Sequence, residues 1–225
     1  MKKQIPLTIL IAVIMLTALT SFASNNNKNM DYTPIQFSVW PGVKNWPGAK
    51  NVGGVKFGVP WAYTIDDIDK YKVNGVEFAI ISQTKAINGL QAAMVTFNTK
   101  KVDGVQLAFA NMLGSSINAL QIACCNYNEN NFSGVQLAVG NINSKNSSGA
   151  QLGLLNYQGK NSSGLQLGLA NNSKDFSGSQ IGLLNLNYNK NSLAFQFGLI
   201  NYMENGFLPI FPFFNFSIRV IPEYK

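Results

Sequence analysis

Lysine is the residue type of this chain that could do chemistry and also recurs in step with a pattern. Lys100, Lys145 and Lys160 each stand nine places after a glutamine, and Lys174 and Lys190 lie close to the same place in later units. A row of ammonium groups at one spacing suits many weak contacts with an anionic surface, such as an envelope polysaccharide or lipid phosphate. The plainer alternative is a solvated loop edge whose charges keep strands from aggregating. Other chemistries find little support. The chain has no histidine and only 10 acidic residues, too scattered to nominate a carboxylate pair. Asp66, Asp67 and Asp69 cluster, yet the glycine and glutamate of a calcium loop do not follow. Cys124 and Cys125 are adjacent, a spacing that strains a disulfide, and read as small packing residues. No enzyme, metal or cofactor is expected. The charge of +7 is too diffuse to argue for nucleic acid.

What must position the lysines is a repeat. Glutamine recurs at 91, 106, 121, 136, 151, 166, 180 and 196, and asparagine follows five places later at 111, 126, 141, 156, 171, 185 and 201. The residue two places after each glutamine is always small: Ala108, Ala123 and Gly153 are examples. Self-similarity at so short a period marks a stacked architecture, in which a unit too small to bury its own apolar groups is covered by its neighbours.

Ahead of the repeats, Met1-Lys2-Lys3 leads into an apolar run from Ile5 to Leu19 and a small-x-small exit at Ser21-Phe22-Ala23. This reads as a secretory signal peptide over 1–23. The rival, a retained anchor, needs a longer span, and no cysteine stands at the exit for lipid attachment. Residues 24–33, rich in Asn, read as a disordered amino terminus. Residues 34–225 then form a single β-repeat domain, with strict repeats over about 89–203 and a terminal cap at 204–225. Removing Lys2 and Lys3 leaves 15 basic and 10 acidic residues, a charge of +5.

Apolar and polar residues alternate within each unit, so the class is all-β. Carried along the strand, the alternation sets Val105, Leu107 and Phe109 on one face and Gln106, Ala108 and Ala110 on the other, with Asn111 at the end of the apolar face. A β-solenoid with one unit per coil is favoured. In it Leu137, Leu152 and Leu167 form a buried apolar column, Gln and the small residues form a flat outer face, and Asn amides bond from coil to coil. The alternative is an antiparallel up-and-down sheet or a twelve-stranded outer-membrane barrel. Uniform connections and strands of only seven or eight residues weigh against it.

The chain resembles the bacterial surface-repeat proteins whose units read Gly-Leu-Gln-Ile-Gly-Leu-Ile-Asn. The likeness rests on units such as Gly149-Ala150-Gln151-Leu152-Gly153-Leu154-Leu155-Asn156, on the opening Pro34-Ile35-Gln36-Phe37-Ser38, and on the closing segment from Asn205 to Phe216. Lys56 and Glu77 depart from the Gln consensus, and Ala119 and Ala194 from the leading Gly. The resemblance implies an exported protein of the cell envelope, outer membrane or cell surface, and carries no activity. The expected function is structural or binding, toward an anionic glycan or lipid or another surface protein, with a membrane pore as the alternative.

Overall fold

A unit that alternates on both sides of a small residue can fold as two short strands meeting at a corner. The computed structural model has this form. It describes residues 32–39, 45–46, 48–49, 51–63, 72–98, 100–114, 116–188 and 193–217. The segment read as a signal peptide, the cluster Asp66, Asp67 and Asp69, and Lys190 lie outside the described residues. Regular structure is all strand, joined in one sheet that winds as a stack of coils, a β-solenoid. Each coil pairs in parallel register with the next, so that Gln136, Gln151, Gln166 and Gln180 stand side by side. The barrel alternative falls, because its neighbouring strands would run antiparallel. The first strand, Tyr32–Ser38, begins inside the segment expected to be disordered, and Thr33 within it is buried.

For the glutamines and the leucines beside them the facing reverses the sequence expectation, whereas the asparagines lie inward with the face to which they were assigned. The glutamines at 91, 106, 121, 136, 166, 180 and 196 are fully buried, as are the asparagines at 111, 126, 141, 171, 185 and 201. Leu137 and Leu167 are 36% and 40% exposed, and Leu152 beside them is half-buried. In a stack a neighbour above and below covers two sides of every residue, so such values belong to side chains pointing away from the molecule. The reason lies at the corner. Strand Ser116–Ile122 ends and Cys125–Asn128 begins after two bend residues, Ala123 and Cys124. Two consecutive residues there are taken up by the bend, which shifts the alternation by one, and Gln121 and Asn126 therefore both point inward although they are five apart.

Burying amides is costly unless they are bonded, and here they form two ladders. Each glutamine Nε2 donates to the Oε1 of the preceding coil, as from Gln106 to Gln91 (2.6 Å), Gln121 to Gln106 (2.8 Å) and Gln166 to Gln151 (2.7 Å). Each asparagine Nδ2 donates to the following coil, as from Asn126 to Asn141 (2.9 Å) and Asn156 to Asn171 (2.8 Å). The ladders thus run side by side with opposed amide dipoles. Cross-bonds from Asn128 to Gln121 (3.0 Å) and Asn143 to Gln136 (2.9 Å) brace the glutamine row. The small residue after each glutamine is explained by the asparagine row: a Cβ on Gly168 would lie 2.7 Å from Asn156 Nδ2 and 2.4 Å from the Gly153 carbonyl.

Away from the corner the interior is apolar where space allows. Val102, Leu113, Ile117 and Phe132 form one cluster, and Phe176 with Met203 another. Where Gln158 points inward, the facing positions are Ser147 and Ser162 instead of large groups. Ser147 Oγ donates to Gln158 Oε1 (2.7 Å), and Gln158 Nε2 donates to the Lys145 carbonyl (2.5 Å). Long and short side chains alternate across the coil to keep the volume filled.

The last strand, Ile210–Phe216, departs from the pattern by pairing antiparallel with Ala194–Met203. Asn215 stands opposite Gln196, at the glutamine place as its sequence suggests, but the reversed direction puts Phe213 opposite Gly198. Phe213 takes a φ of 69° there. At the other end Phe37 and Trp46 exchange backbone hydrogen bonds that cover the first strand.

Candidate binding surfaces

Two surfaces follow from the coil. The return connection, where one coil passes to the next, carries the exposed charge. Lys100, Lys145, Lys160 and Lys174 are all exposed on it. Lys145, Lys160 and Lys174 fall in three consecutive coils, spaced about 4.8 Å per coil, whereas Lys100 lies three coils away. The structure joins Lys100 to other lysines: Lys72 and Lys101 flank Ala86 in adjoining coils, and the Lys100 amide bonds the Lys85 carbonyl (3.1 Å). The predicted row is therefore two groups, separated by the coils of Ser116 and Asn130. Lys145 Nζ donates to Asn130 Oδ1 (2.5 Å). Asp103, Glu129, Asp175 and Glu204 share this edge, and Lys101 pairs with Asp103 at 2.7 Å in a solvated position. An open groove of about 410 Å³ beside it is lined by Lys101, Phe132 and the Ser and Asn side chains of neighbouring coils, Ser116, Asn131 and Ser148 among them.

The second surface is the wedge formed by the corner and its two flanks. Leu107, Ile122, Leu137 and Leu167 line one flank, and Leu155, Tyr127, Tyr157 and Ile200 the other. Phe109, Val139, Leu154, Leu169, Leu183 and Leu199 run along the corner, with Leu154 49% and Phe109 64% exposed. On the first coils Phe37, Phe57 and Phe78 continue the flank as a stacked column, with ring centroids 5.6 and 5.9 Å apart. Among the described residues every exposed charged side chain lies on the return edge and none on the wedge. Cys124 and Cys125 sit at the corner, exposed and as free thiols, so the reading of them as packing residues is corrected.

One cluster escaped sequence reasoning. Lys56 and Glu77, the two departures from glutamine, occupy adjacent coils and are buried, with Lys56 Nζ 3.4 Å from Glu77 Oε2. Lys56 Nζ also donates to Thr84 Oγ1 (3.1 Å), while Ser82 and Thr84 hydroxyls donate to the Glu77 carboxylate. Gln91 Nε2, the donor end of the glutamine ladder, reaches Glu77 Oε1 at 2.9 Å. A carboxylate at the donor end of aligned amides is electrostatically favourable for the reason it is at a helix amino terminus. Burial pushes the Lys56 ammonium below the ordinary lysine pKa, and Glu77 partly opposes this through charge and a hydrogen bond. The sequence signal was opposite charge at two consecutive glutamine places, legible only once the register was known.

Among the described residues no three of His, Cys, Asp and Glu gather as a metal site would require, and no helix is long and apolar enough to cross a membrane. Comparison of the chain with protein-family models, with curated proteins and with solved structures finds no match.

Proposed function

We propose that this chain is an exported protein of the cell envelope or surface with a structural or binding role, in which the solenoid is a rigid scaffold and its outer surface recognises a partner. The observation that carries the reading is the segregation of that surface into a charged edge and an uncharged apolar wedge. Among the described residues the seven lysines of the edge, at 72, 85, 100, 101, 145, 160 and 174, outnumber the four acids there and favour an anionic glycan or lipid. The leader-like segment at 1–23 and the resemblance to surface-repeat proteins supply the location. The barrel on which the pore alternative was built is replaced by a solenoid whose described interior is packed with bonded amides.

The test combines location and binding. Mass spectrometry of the protein recovered from cells should find an envelope form that begins at Ser24. Changing Lys100, Lys145, Lys160, Lys174 and Lys190 to Gln should preserve the fold and remove salt-sensitive binding to isolated envelope glycan or anionic lipid. Retention of Met1 to Ala23 on an envelope form would overturn the cleavage. Binding unaffected by the five changes would overturn the role of the edge.

A further inference from the structure

We infer that the apolar wedge inserts into the lipid of a membrane interface, with the corner dipping among the acyl chains and the lysine edge resting at the headgroups. The inference rests on the envelope reading above and names the partner of its surface. A soluble protein seldom leaves so continuous an apolar surface uncovered, and three features indicate lipid as the cover.

The first is shape. The apolar residues occupy both flanks and the corner between them, for example the half-buried Leu152 and the exposed Leu154 and Leu155 of one coil. A second copy laid against one flat flank would leave the corner and the other flank in water. A fluid hydrocarbon phase covers all three. The second feature is depth. From Leu120, the apolar position of its flank farthest from the bend, to Cys124 at the corner is four residues of chain, a reach of at most roughly 13 Å. One leaflet of the hydrocarbon core is about 15 Å deep. Tyr127 and Tyr157 lie between the apolar flank and the charged edge, the level at which tyrosine is favoured in a bilayer, and the excess of lysine on that edge complements anionic headgroups.

The third feature is the backbone. Chain in hydrocarbon must bond all its polar groups internally. Here the hydrogen bonds run along the stack from coil to coil, including those at the corner such as Ala138 N to Leu152 O (3.0 Å) and Leu154 N to Val139 O (3.0 Å). The wedge therefore presents mainly side chains outward, and the repeated glutamines and asparagines are enclosed in the two ladders, with the half-buried Asn172 at the place of Tyr157 as an amide on the flank itself.

The native corner thiols provide the probe. With Cys125→Ser, the remaining Cys124 carries an environment-sensitive nitrobenzoxadiazole label at the corner. With Cys124→Ser, Cys125→Ser and Asn130→Cys, the same label sits on the return edge. Both proteins, in the form recovered from the envelope, are mixed with phosphatidylglycerol or phosphatidylcholine vesicles containing acyl-chain nitroxide quenchers. The Cys124 label should shift to the blue and be quenched, and the Asn130→Cys label should do neither. Partition should be stronger on phosphatidylglycerol. Leu154→Gln with Leu169→Gln should lower it on the order of a hundredfold, about tenfold for each leucine withdrawn from hydrocarbon, without loss of the circular dichroism of the folded chain. Absence of partition, or equal quenching at both labels, would overturn the inference. So would a blue-shifted Cys124 label on a lipid-free dimer by sedimentation, which would make a second copy the occupant. A protein found in the envelope that fails these tests sinks the insertion alone. A protein found only in the cytoplasm sinks the envelope reading beneath it.

Discussion

Replacing both Lys56 and Glu77 by Gln should leave the fold about as stable as before, although replacing either alone should damage it. The two charged groups stand 3.4 Å apart and are 1% and 0% exposed. At that distance, with an effective dielectric constant of about 20, their attraction is about 5 kcal/mol. Taking each ion out of water costs several kcal/mol, so the pair as a whole is near balance. Lys56→Gln leaves the Glu77 carboxylate without its cation, and Glu77→Gln leaves the ammonium without its anion. Each should cost about 3–5 kcal/mol. The double variant restores the amide that every later coil uses at this place, and Gln91 Nε2 would then meet an amide carbonyl where the Glu77 carboxylate had been. Its stability should fall within about 1 kcal/mol of the parent or above it. Urea unfolding followed by circular dichroism gives the three differences. Native-state hydrogen exchange should place the damage of the single variants in coils 51–98 and spare those beyond Ser147, because a stack couples each coil mainly to its neighbours. Single effects that simply add in the double variant would refute the reasoning. The pH dependence is a second check. The folded-state pKa of Lys56 is lowered, so between that value and the unfolded value near 10.5 the unfolded chain binds the extra proton, and stability rises with pH through that window. Glu77→Gln removes both influences that raise the pKa, so the window should widen toward lower pH. Lys56→Gln should abolish this slope.

Further outcomes test the ladders, the facing and the backbone. Gln166→Ala removes the acceptor of Gln180 Nε2 and the donor to Gln151 Oε1, and should cost about 1–3 kcal/mol in urea unfolding. Leu167→Asp, at the adjacent outward-facing position, should change stability in lipid-free buffer by no more than about 1 kcal/mol, the reverse of what a buried leucine column would give. Gly164→Ala should destabilise more than either: φ is +120° there, and the added Cβ would lie 2.0 Å from the Gly149 carbonyl oxygen. A thermal midpoint unchanged by that substitution would mean that the coils are not stacked this closely.

The repeat, the parallel register and the asparagine ladder were all legible in the chain. A period of fifteen residues, fourteen or sixteen in the last steps, puts identical residues at identical places in successive coils, and identical amides stacked at strand spacing bond to one another. Which way the strands face was not legible. Alternation tells which residues share a face only while the strand stays straight, and the two-residue bend at positions such as Ala123 and Cys124 shifts the parity where the chain turns. Residue-type preference could not resolve it, because a glutamine is tolerated inside when the next coil supplies its partner, and that partner lies fifteen residues away. Lys56 and Glu77 show the same division. As single residues in the sequence they were lapses from a consensus, and only the register of coil on coil made them one buried pair at the end of the glutamine ladder. The reversal of the final strand also lay beyond the pattern, since Phe214-Asn215-Phe216 alternates alike in either direction. Local spacing is sufficient to specify what stacks on what, whereas facing, pairing of unlike residues and strand direction depend on where the chain turns in space.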